Sequence, residues 1–235
     1  MGWELTMQME TDLYRTRLAA AQASGGASVS SIYDTIERLV RDYNLGGSVL
    51  DYGAGTGYLT KRLALSQRFA TTSGADLMSR PKDLPASVKW ISHDLNEVLP
   101  SDDVRYDVVL AAEVIEHLEN PRSMARDIFR VLSPGGTFIL TTPNNESVRS
   151  LLSLIFRGHF VHFLDESYPA HITALLRKDL DRILTEAGFS HPIFCFTDQG
   201  AVPKFPAVSW QQLSMGILKG IRFSDNVVAV ATKPR

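Results

Sequence analysis

The segment SVLDYGAGTGYLTKRLA, Ser48 to Ala64, constrains this chain more than any other. A short apolar run, Ser48 to Tyr52, has the character of a buried strand and leads into three glycines, Gly53, Gly55 and Gly57. A helix is predicted from Tyr58 to Arg68, with Leu59, Leu63 and Ala64 on one face. Strand, glycine turn and helix together open a doubly wound α/β fold, whose ligands sit beyond the carboxyl ends of the strands. Glycines at such a turn let backbone N–H groups approach a ligand without Cβ atoms in the way. A nicotinamide-binding loop would carry glycine at the sixth position of GxGxxG, where this chain has Tyr58. Asp51, two residues before the first glycine, disfavours a pyrophosphate and suits a ligand with positive charge and no phosphate.

The same unit repeats downstream. A second strand ends in GADL at Asp76, a third (VKWISHDL) near Asp94, and a fourth (YDVVLAAEV) spans Tyr106 to Val114. Asn120 is a natural N-cap and Pro121 sits at the first helical position, where its missing N–H costs nothing. Met124, Ile128, Val131 and Leu132 give that helix an apolar face. Ser133-Pro134-Gly135-Gly136 stops it before a fifth strand, TFILTT. Arg177 to Ala187 reads as another amphipathic helix with Gly188 as its C′ residue, and HPIFCF and NVVAVATKP complete the sheet. Strands alternating with helices over short links predict an α/β fold, a doubly wound, mostly parallel sheet covered on both faces, in one domain over 1–235. Residues 1–45 form a helical lead-in, with Ile32, Ile36, Leu39 and Val40 spaced to pack as a lid or flank. Residues 144–174 and 200–223 are insertions on the side where acceptor specificity would sit.

Charge and composition exclude several classes. With 24 basic against 26 acidic residues the formal net charge is −2, so the chain has no general pull on nucleic acid, and no nucleic-acid partner is expected. Cys195 is the only cysteine, which rules out an internal disulfide and a Cys-built zinc site. No run approaches the roughly 20 apolar residues of a membrane span. The N-terminus lacks a signal-peptide pattern. Gly2 and Thr6 match the loose myristoylation pattern, but Trp3 and Glu4 follow the glycine and no polybasic segment supports an anchor. The expected location is cytoplasmic.

Asp76 lies 23 positions after Gly53, at the strand end where doubly wound folds grip ribose hydroxyls. Asp94 and Leu95 end the next strand, where a carboxylate and an apolar side chain can hold an adenine edge and face. Each Asp alone could equally cap a strand end. Three of them at successive strand ends beside a glycine loop describe a nucleoside site.

VLDYGAGTGY, GADL, HDL, YDVVLAAEVIEHLENP and VLSPGGTFILTTPN, in that order from about Ser48 to Asn144, resemble the class I S-adenosylmethionine-dependent methyltransferases. The resemblance implies a Rossmann-like seven-stranded sheet and S-adenosyl-L-methionine as cofactor. It implies that Gly53, Gly55 and Gly57 approach the methionine portion and that Asp51 meets its polar end. It also implies that Asp76 holds the ribose and Asp94 and Leu95 the adenine, with Leu77 and Glu113 counted among the cofactor contacts.

In AEVIEHLENP, Glu113 and Glu116 are three apart and Glu113 and His117 four apart, so a helical turn there would bring all three to one face. Two carboxylates and an imidazole can bind a divalent cation with positions left open for a substrate. The pattern is similar to that of ubiquinone-pathway O-methyltransferases and small-RNA 2′-O-methyltransferases, which add a later histidine after the fifth strand. By that resemblance a metal (Mg or Zn) would be held by Glu113, Glu116, His117 and His171, and catalysis carried by His117, Glu116 and His171. His159 and His162 are weaker candidates for the later histidine. The bland alternative is that Glu116 and Glu119 favour a helix dipole and that His117 bonds a neighbouring loop.

The expected reaction is methyl transfer to the hydroxyl of a small molecule, a sugar or glycoconjugate or a phenol or quinone precursor. N- or C-methylation of a small metabolite and a catalytically inactive cofactor-binding partner subunit are the competing readings. The apolar stretch Ser147 to Phe163 could wall the pocket of an amphiphilic acceptor, form a homodimer contact or belong to the core. The insertion Lys204 to Arg222, with Trp210, Lys219 and Arg222, is too sparse in basic and aromatic residues for nucleic acid.

Overall fold

The computed structural model describes residues 2–100 and 104–235; the side chains of residues 2–7 and 10 lie outside the described set, and the Gly2 and Thr6 reading falls there. Seven strands form one sheet: β1 (Gly47–Tyr52), β2 (Phe69–Asp76), β3 (Lys89–Ser92), β4 (Tyr106–Ala112), β5 (Leu132–Pro143), β6 (Ile193–Phe196) and, last in the chain, a strand over Asn226–Thr232. Between β6 and that last strand lies a separate two-stranded hairpin, β7 (Ala201–Val202) and β8 (Phe205–Ser209), so the final strand is β9. The order across the sheet is β3-β2-β1-β4-β5-β9-β6. The first five strands pair in parallel, and β9 runs antiparallel to both β5 and β6. This is the Rossmann-like, mostly parallel seven-stranded sheet that the strand and helix alternation predicts.

Alternation along the strands feeds two cores, since successive side chains point to opposite faces. On β1, Val49 joins a cluster with Ile32, Ile36, Leu39, Val40, Leu59 and Leu63. Leu50, its neighbour, joins the opposite cluster with Ile128, Val131, Leu180 and Leu184. The first face is therefore covered by α2 (Ser30–Asp42) and α3 (Tyr58–Leu65), the second by α4 (Pro121–Val131) and α6 (Arg177–Ala187). Asn120 caps α4, its side chain accepting from the Ser123 N–H at 3.0 Å. Gly188 ends α6 at φ +105, a left-handed cap that glycine adopts without a Cβ penalty.

Three boundaries differ from the sequence reading. Helix α3 ends at Leu65 rather than Arg68, because Ser66 caps it and Gln67 takes a left-handed φ of +55. Strand β4 ends at Ala112, and the residues expected to extend it form a bend and a 3₁₀ turn, Ile115–His117. The SPGG segment is taken into β5, which starts at Leu132; the Gly135 N–H bonds Lys233 O at 2.9 Å and the pairing register slips between Tyr106 and Val108.

The lead-in has two parts with different fates. α2 buries all four of its predicted apolar residues, whereas no described residue of α1 (Gly2–Ala23) enters either core. The 144–174 insertion carries α5 (Val148–Arg157), which turns Ser150 and Ser153 inward and leaves Ile155 and Phe156 exposed. α5 therefore belongs neither to the core nor to the wall of the main cleft. The 200–223 insertion holds the hairpin and the short α7 (Trp210–Leu213). Among the described residues no helix is long and apolar enough to cross a membrane.

Candidate active site

The sheet order reverses between β1 and β4, the switch point where open α/β sheets bind ligands. A cleft of about 660 Å³ lies there, and Asp51, Gly53, Gly55, Asp76, Leu77, Asp94, Leu95, Glu113, His117 and His171 all line it. Gly57 does not. Its φ of +74 starts α3, and a Cβ there would meet Leu84 and Pro81.

The glycine loop differs in one consequential way from the expected cradle of free N–H groups. The Gly53 and Ala54 N–H groups both donate to Ala75 O, Gly55 N–H to Asp76 Oδ2, Thr56 N–H to Gly26 O and Gly57 N–H to Ala54 O. Every donor of the loop is spent inside the protein, so none remains to hold a phosphate. Gly53 is required for another reason: at φ +78 a Cβ would collide with Val114.

The cleft is lined instead by carboxylates. Asp51 is 1% exposed and accepts from the Thr60 hydroxyl at 2.5 Å; burial pushes its pKa up to about 7. Asp76 accepts from the Gly55 and Met78 N–H groups at 2.7 and 2.8 Å, and burial raises its pKa too. Burial drives Glu113 up to about 7, and burial together with the Glu113 charge drives Glu116, set behind the cleft wall, well above the ordinary carboxylate range. Among the described residues none of these four acids forms an ion pair. A pocket with this much uncompensated acidity favours a cationic occupant.

Glu113 leaves the expected ligand set. A left-handed φ of +55 turns its carboxylate away from the 3₁₀ turn, where it accepts from the Thr141 hydroxyl at 2.7 Å and Asn226 Nδ2 at 2.8 Å. The turn is tighter than the α-helical one assumed from the spacing, and this breaks the convergence of all three side chains. Glu116, His117 and His171 do converge, with potential ligand atoms within 4.8 Å of one another. The backbone brings His171 across: Glu116 O accepts from both Ile172 and Thr173 N–H groups at 3.0 and 2.9 Å. His117 Nδ1 lies 2.7 Å from Ala170 O, and His171 Nδ1 2.7 Å from His162 O. A carbonyl only accepts, so both Nδ1 atoms carry the proton; burial keeps both rings neutral, and the basic nitrogen of each is Nε2. Glu116 Oε2 accepts from the Thr142 hydroxyl, while the buried Oε1 has no partner among the described residues.

Sequence reasoning missed the residues that reach the cleft from the N-terminal side. Arg17 of α1 donates to Asp94 Oδ2 at 2.9 Å, so the carboxylate assigned to adenine already holds a guanidinium. Tyr33 lines the cleft and accepts from the Ser28 N–H at 2.6 Å. Nothing in the local pattern around Arg17 marks it, whereas Tyr33 sits on the apolar face of α2 that was read as packing.

The family model described as a methyltransferase domain matches residues 20–191, and the chain belongs to this family, on the S-adenosylmethionine-dependent methyltransferase fold. A ubiquinone biosynthesis O-methyltransferase of Psychrobacter arcticus is 24% identical over 155 residues, 62% of this chain and 60% of that protein, so the chain matches well under two thirds of its relative's length. Among solved structures, a SAM-dependent methyltransferase of Thermotoga maritima superposes with a TM-score of 0.60 at 17% identity, covering 99% of this chain and all of that one. The N-methyltransferase NodS of Bradyrhizobium japonicum, in complex with S-adenosyl-L-homocysteine, gives 0.55 at 18% identity over 86% of each chain.

Proposed function

We propose that this chain transfers the methyl group of S-adenosyl-L-methionine to a hydroxyl of a small molecule, a sugar or glycoconjugate or a phenol or quinone precursor. The observation that carries the reading is the cluster of Glu116, His117 and His171 beside a cleft lined by acids, with the N–H groups of Gly53 to Gly57 already bonded within the protein. The acids and the committed loop suit a cationic, phosphate-free nucleoside, and the O-methyltransferase named among the relatives adds support.

S-Adenosylmethionine supplies a methyl group on a sulfonium that is already electrophilic. Asp51 holds the ammonium end, and Asp76, its geometry fixed by two backbone donors, accepts from the ribose hydroxyls. Leu77 and Leu95 flank the nucleoside. Holding nucleophile and methyl in line supplies much of the rate. His117 Nε2 takes the hydroxyl proton as the oxygen attacks, the C–S bond breaks and a C–O bond forms. His171 has the same tautomer and stands with its ring centroid 4.8 Å from that of His117.

The orphaned Glu116 Oε1 and two Nε2 atoms aimed by carbonyls make a donor set that fits a divalent cation. Glu116, His117 and His171 would hold it in place of the His117 proton transfer, since one Nε2 lone pair serves either a metal or a proton, and it would supply Lewis acidity that lowers the pKa of the acceptor hydroxyl. The test is calorimetry with S-adenosylhomocysteine, followed by mass-spectrometric detection of methylated product over a panel of catechols, phenols, sugars and amines, with and without EDTA. Product on nitrogen compounds alone would refute the O-methyl reading.

A further inference from the structure

We propose that His162 and Asp225 form a second seat at the acceptor end of the cleft, one that reads a further hydroxyl of the acceptor and so selects a diol over a mono-ol; the proposal rests on the O-methyl reading above. Both residues line the cleft, together with His117, Tyr168, His171 and Ile172. They come from different parts of the chain. His162 lies on the loop after α5, inside the 144–174 insertion, and Asp225 immediately precedes β9.

The histidine is pinned by its backbone and idle in its ring. His162 O accepts from His171 Nδ1 at 2.7 Å, and the flanking N–H groups of Val161 and Phe163 donate to Ser150 Oγ at 3.4 Å and to Phe160 O at 3.0 Å. The ring makes no hydrogen bond among the described residues, although its Nε2 is buried. Packing alone does not account for this, because the two neighbouring histidines, His117 and His171, each spend a ring nitrogen on a carbonyl. His162 also stays outside the cluster of Glu116, His117 and His171. A ring nitrogen withdrawn from water without a partner costs folding free energy, and a polar group of a bound molecule in the cleft removes that cost.

Asp225 offers the complementary atom. Its Oδ2 accepts from Arg149 Nη1 at 3.1 Å and from the Ala201 N–H at 3.0 Å, which fixes the carboxylate, whereas no donor among the described residues reaches Oδ1. His162 and Asp225 are not bonded to each other. Burial takes the His162 pKa down to about 4 against the pull of the Asp225 charge, so the ring is neutral and carries one N–H and one acceptor nitrogen. A hydroxyl satisfies both sides at once, donating to Asp225 Oδ1 and accepting from the imidazole N–H. An ammonium group in that place leaves the imidazole N–H unpaired, and a carboxylate or phosphate meets the Asp225 oxygen. The bond from the His171 ring to His162 O makes this seat the neighbour of the one where the reacting hydroxyl lies.

The experiment compares two matched pairs, catechol against phenol and cis-1,2-cyclohexanediol against cyclohexanol, by NMR titration of the full chain loaded with S-adenosylhomocysteine. Wild type is expected to bind at least one diol about tenfold more tightly than its mono-ol, the worth of the added hydrogen bonds. In His162→Leu that preference should shrink to within about twofold, while His162→Gln, whose amide still donates, should keep part of it. Both variants should bind S-adenosylhomocysteine as wild type does. His162→Leu should melt no lower than wild type, since an apolar side chain of similar size replaces a buried unpaired nitrogen. A ring with a structural duty would instead lower the melting temperature and leave the selectivity alone. A wild type that takes up neither diol better than its mono-ol, or a preference that survives in His162→Leu, overturns the second seat. Failure of wild type to bind S-adenosylhomocysteine removes the cofactor reading and the second seat with it; normal binding of S-adenosylhomocysteine with no preference for a diol removes the second seat alone.

Discussion

Asp76 Oδ2 accepts the N–H of Gly55 at 2.7 Å, so the acid at the end of β2 shapes the glycine loop as well as facing the cleft. Its other oxygen takes the Met78 N–H at 2.8 Å. Asp76→Asn turns one of these acceptors into a donor that faces a backbone N–H. Affinity for S-adenosylhomocysteine is expected to fall by about 1.5–3 kcal/mol, the worth of hydrogen bonds to a charged group, as read by calorimetry. Unchanged affinity would remove Asp76 from the ribose role.

Asp51 makes the site sensitive to pH. Its pKa is about 7 in the fold, against an ordinary carboxylate value of 3.8. Between these two values the folded protein holds a proton that the unfolded chain has released, so stability is fully present below pH ~4 and is lost as pH rises toward ~7. The slope is about 1.4 kcal/mol per unit at most, and Asp76, also raised, acts in the same direction. Binding runs the other way, because an ammonium group favours ionised Asp51. Measured against Asp51→Asn, thermal melts of the free protein should therefore fall from pH 5 to 7, isolating Asp51 from the lowered His117, His162 and His171, which act in the opposite direction, while S-adenosylhomocysteine affinity climbs and then levels. Asp51→Asn should flatten the affinity curve and make the stability curve shallower, the raised Asp76, Glu113 and Glu116 still acting.

The glycines separate packing from conformation. At Gly55, φ is +51 and a Cβ would run into the carbonyl of Gly26, a backbone atom that cannot step aside without moving the lead-in. At Gly57, φ is +74, but the atoms nearest a Cβ are side-chain carbons of Leu84 and Pro81 at 3.1 Å. Gly57→Ala should cost about 1–2 kcal/mol, the left-handed penalty alone. Gly55→Ala should cost clearly more in chemical denaturation and should also weaken cofactor binding. Equal losses in the two variants would show that the contact with Gly26 carries no weight.

What could be read from the sequence follows a physical division. Elements set by local periodicity and capping were legible: Asn120-Pro121 opens α4 and Gly188 closes α6 at the residues expected. The acids at strand ends were legible as a group, because a doubly wound topology collects successive strand ends at one cleft. Contacts that depend on long-range geometry were not. The capture of Asp94 by Arg17 joins residues 77 apart, and no local pattern announces it. Glu113 was misread because spacing assumes a regular helical turn, whereas a left-handed residue followed by a 3₁₀ turn sends its carboxylate to Thr141 and Asn226. A glycine turn by itself points its donors at a ligand, whereas in the fold Ala75, Asp76, Gly26 and Ala54 already take them.

The histidine cluster separates binding from turnover. Glu116 is fully buried and His117 bonds a carbonyl through Nδ1, so neither side chain is among those assigned to the nucleoside. His117→Ala and Glu116→Gln should bind S-adenosylhomocysteine within about twofold of wild type, while turnover on a responsive hydroxyl acceptor falls by about a hundredfold or more, the lower range for loss of a positioned general base. His117→Gln tests folding against chemistry, since its amide can still donate to Ala170 O and hold the 170–173 segment in place. If metal binding contributes, EDTA should suppress wild-type turnover, added Mg or Zn should restore it, and the same ions should raise the melting temperature of wild type but not of the Glu116→Gln, His171→Ala double variant. Full turnover in EDTA with His117 present but none in His117→Gln would assign the proton transfer to the imidazole alone. Full turnover with Glu116, His117 and His171 all replaced would remove the cluster from the reaction.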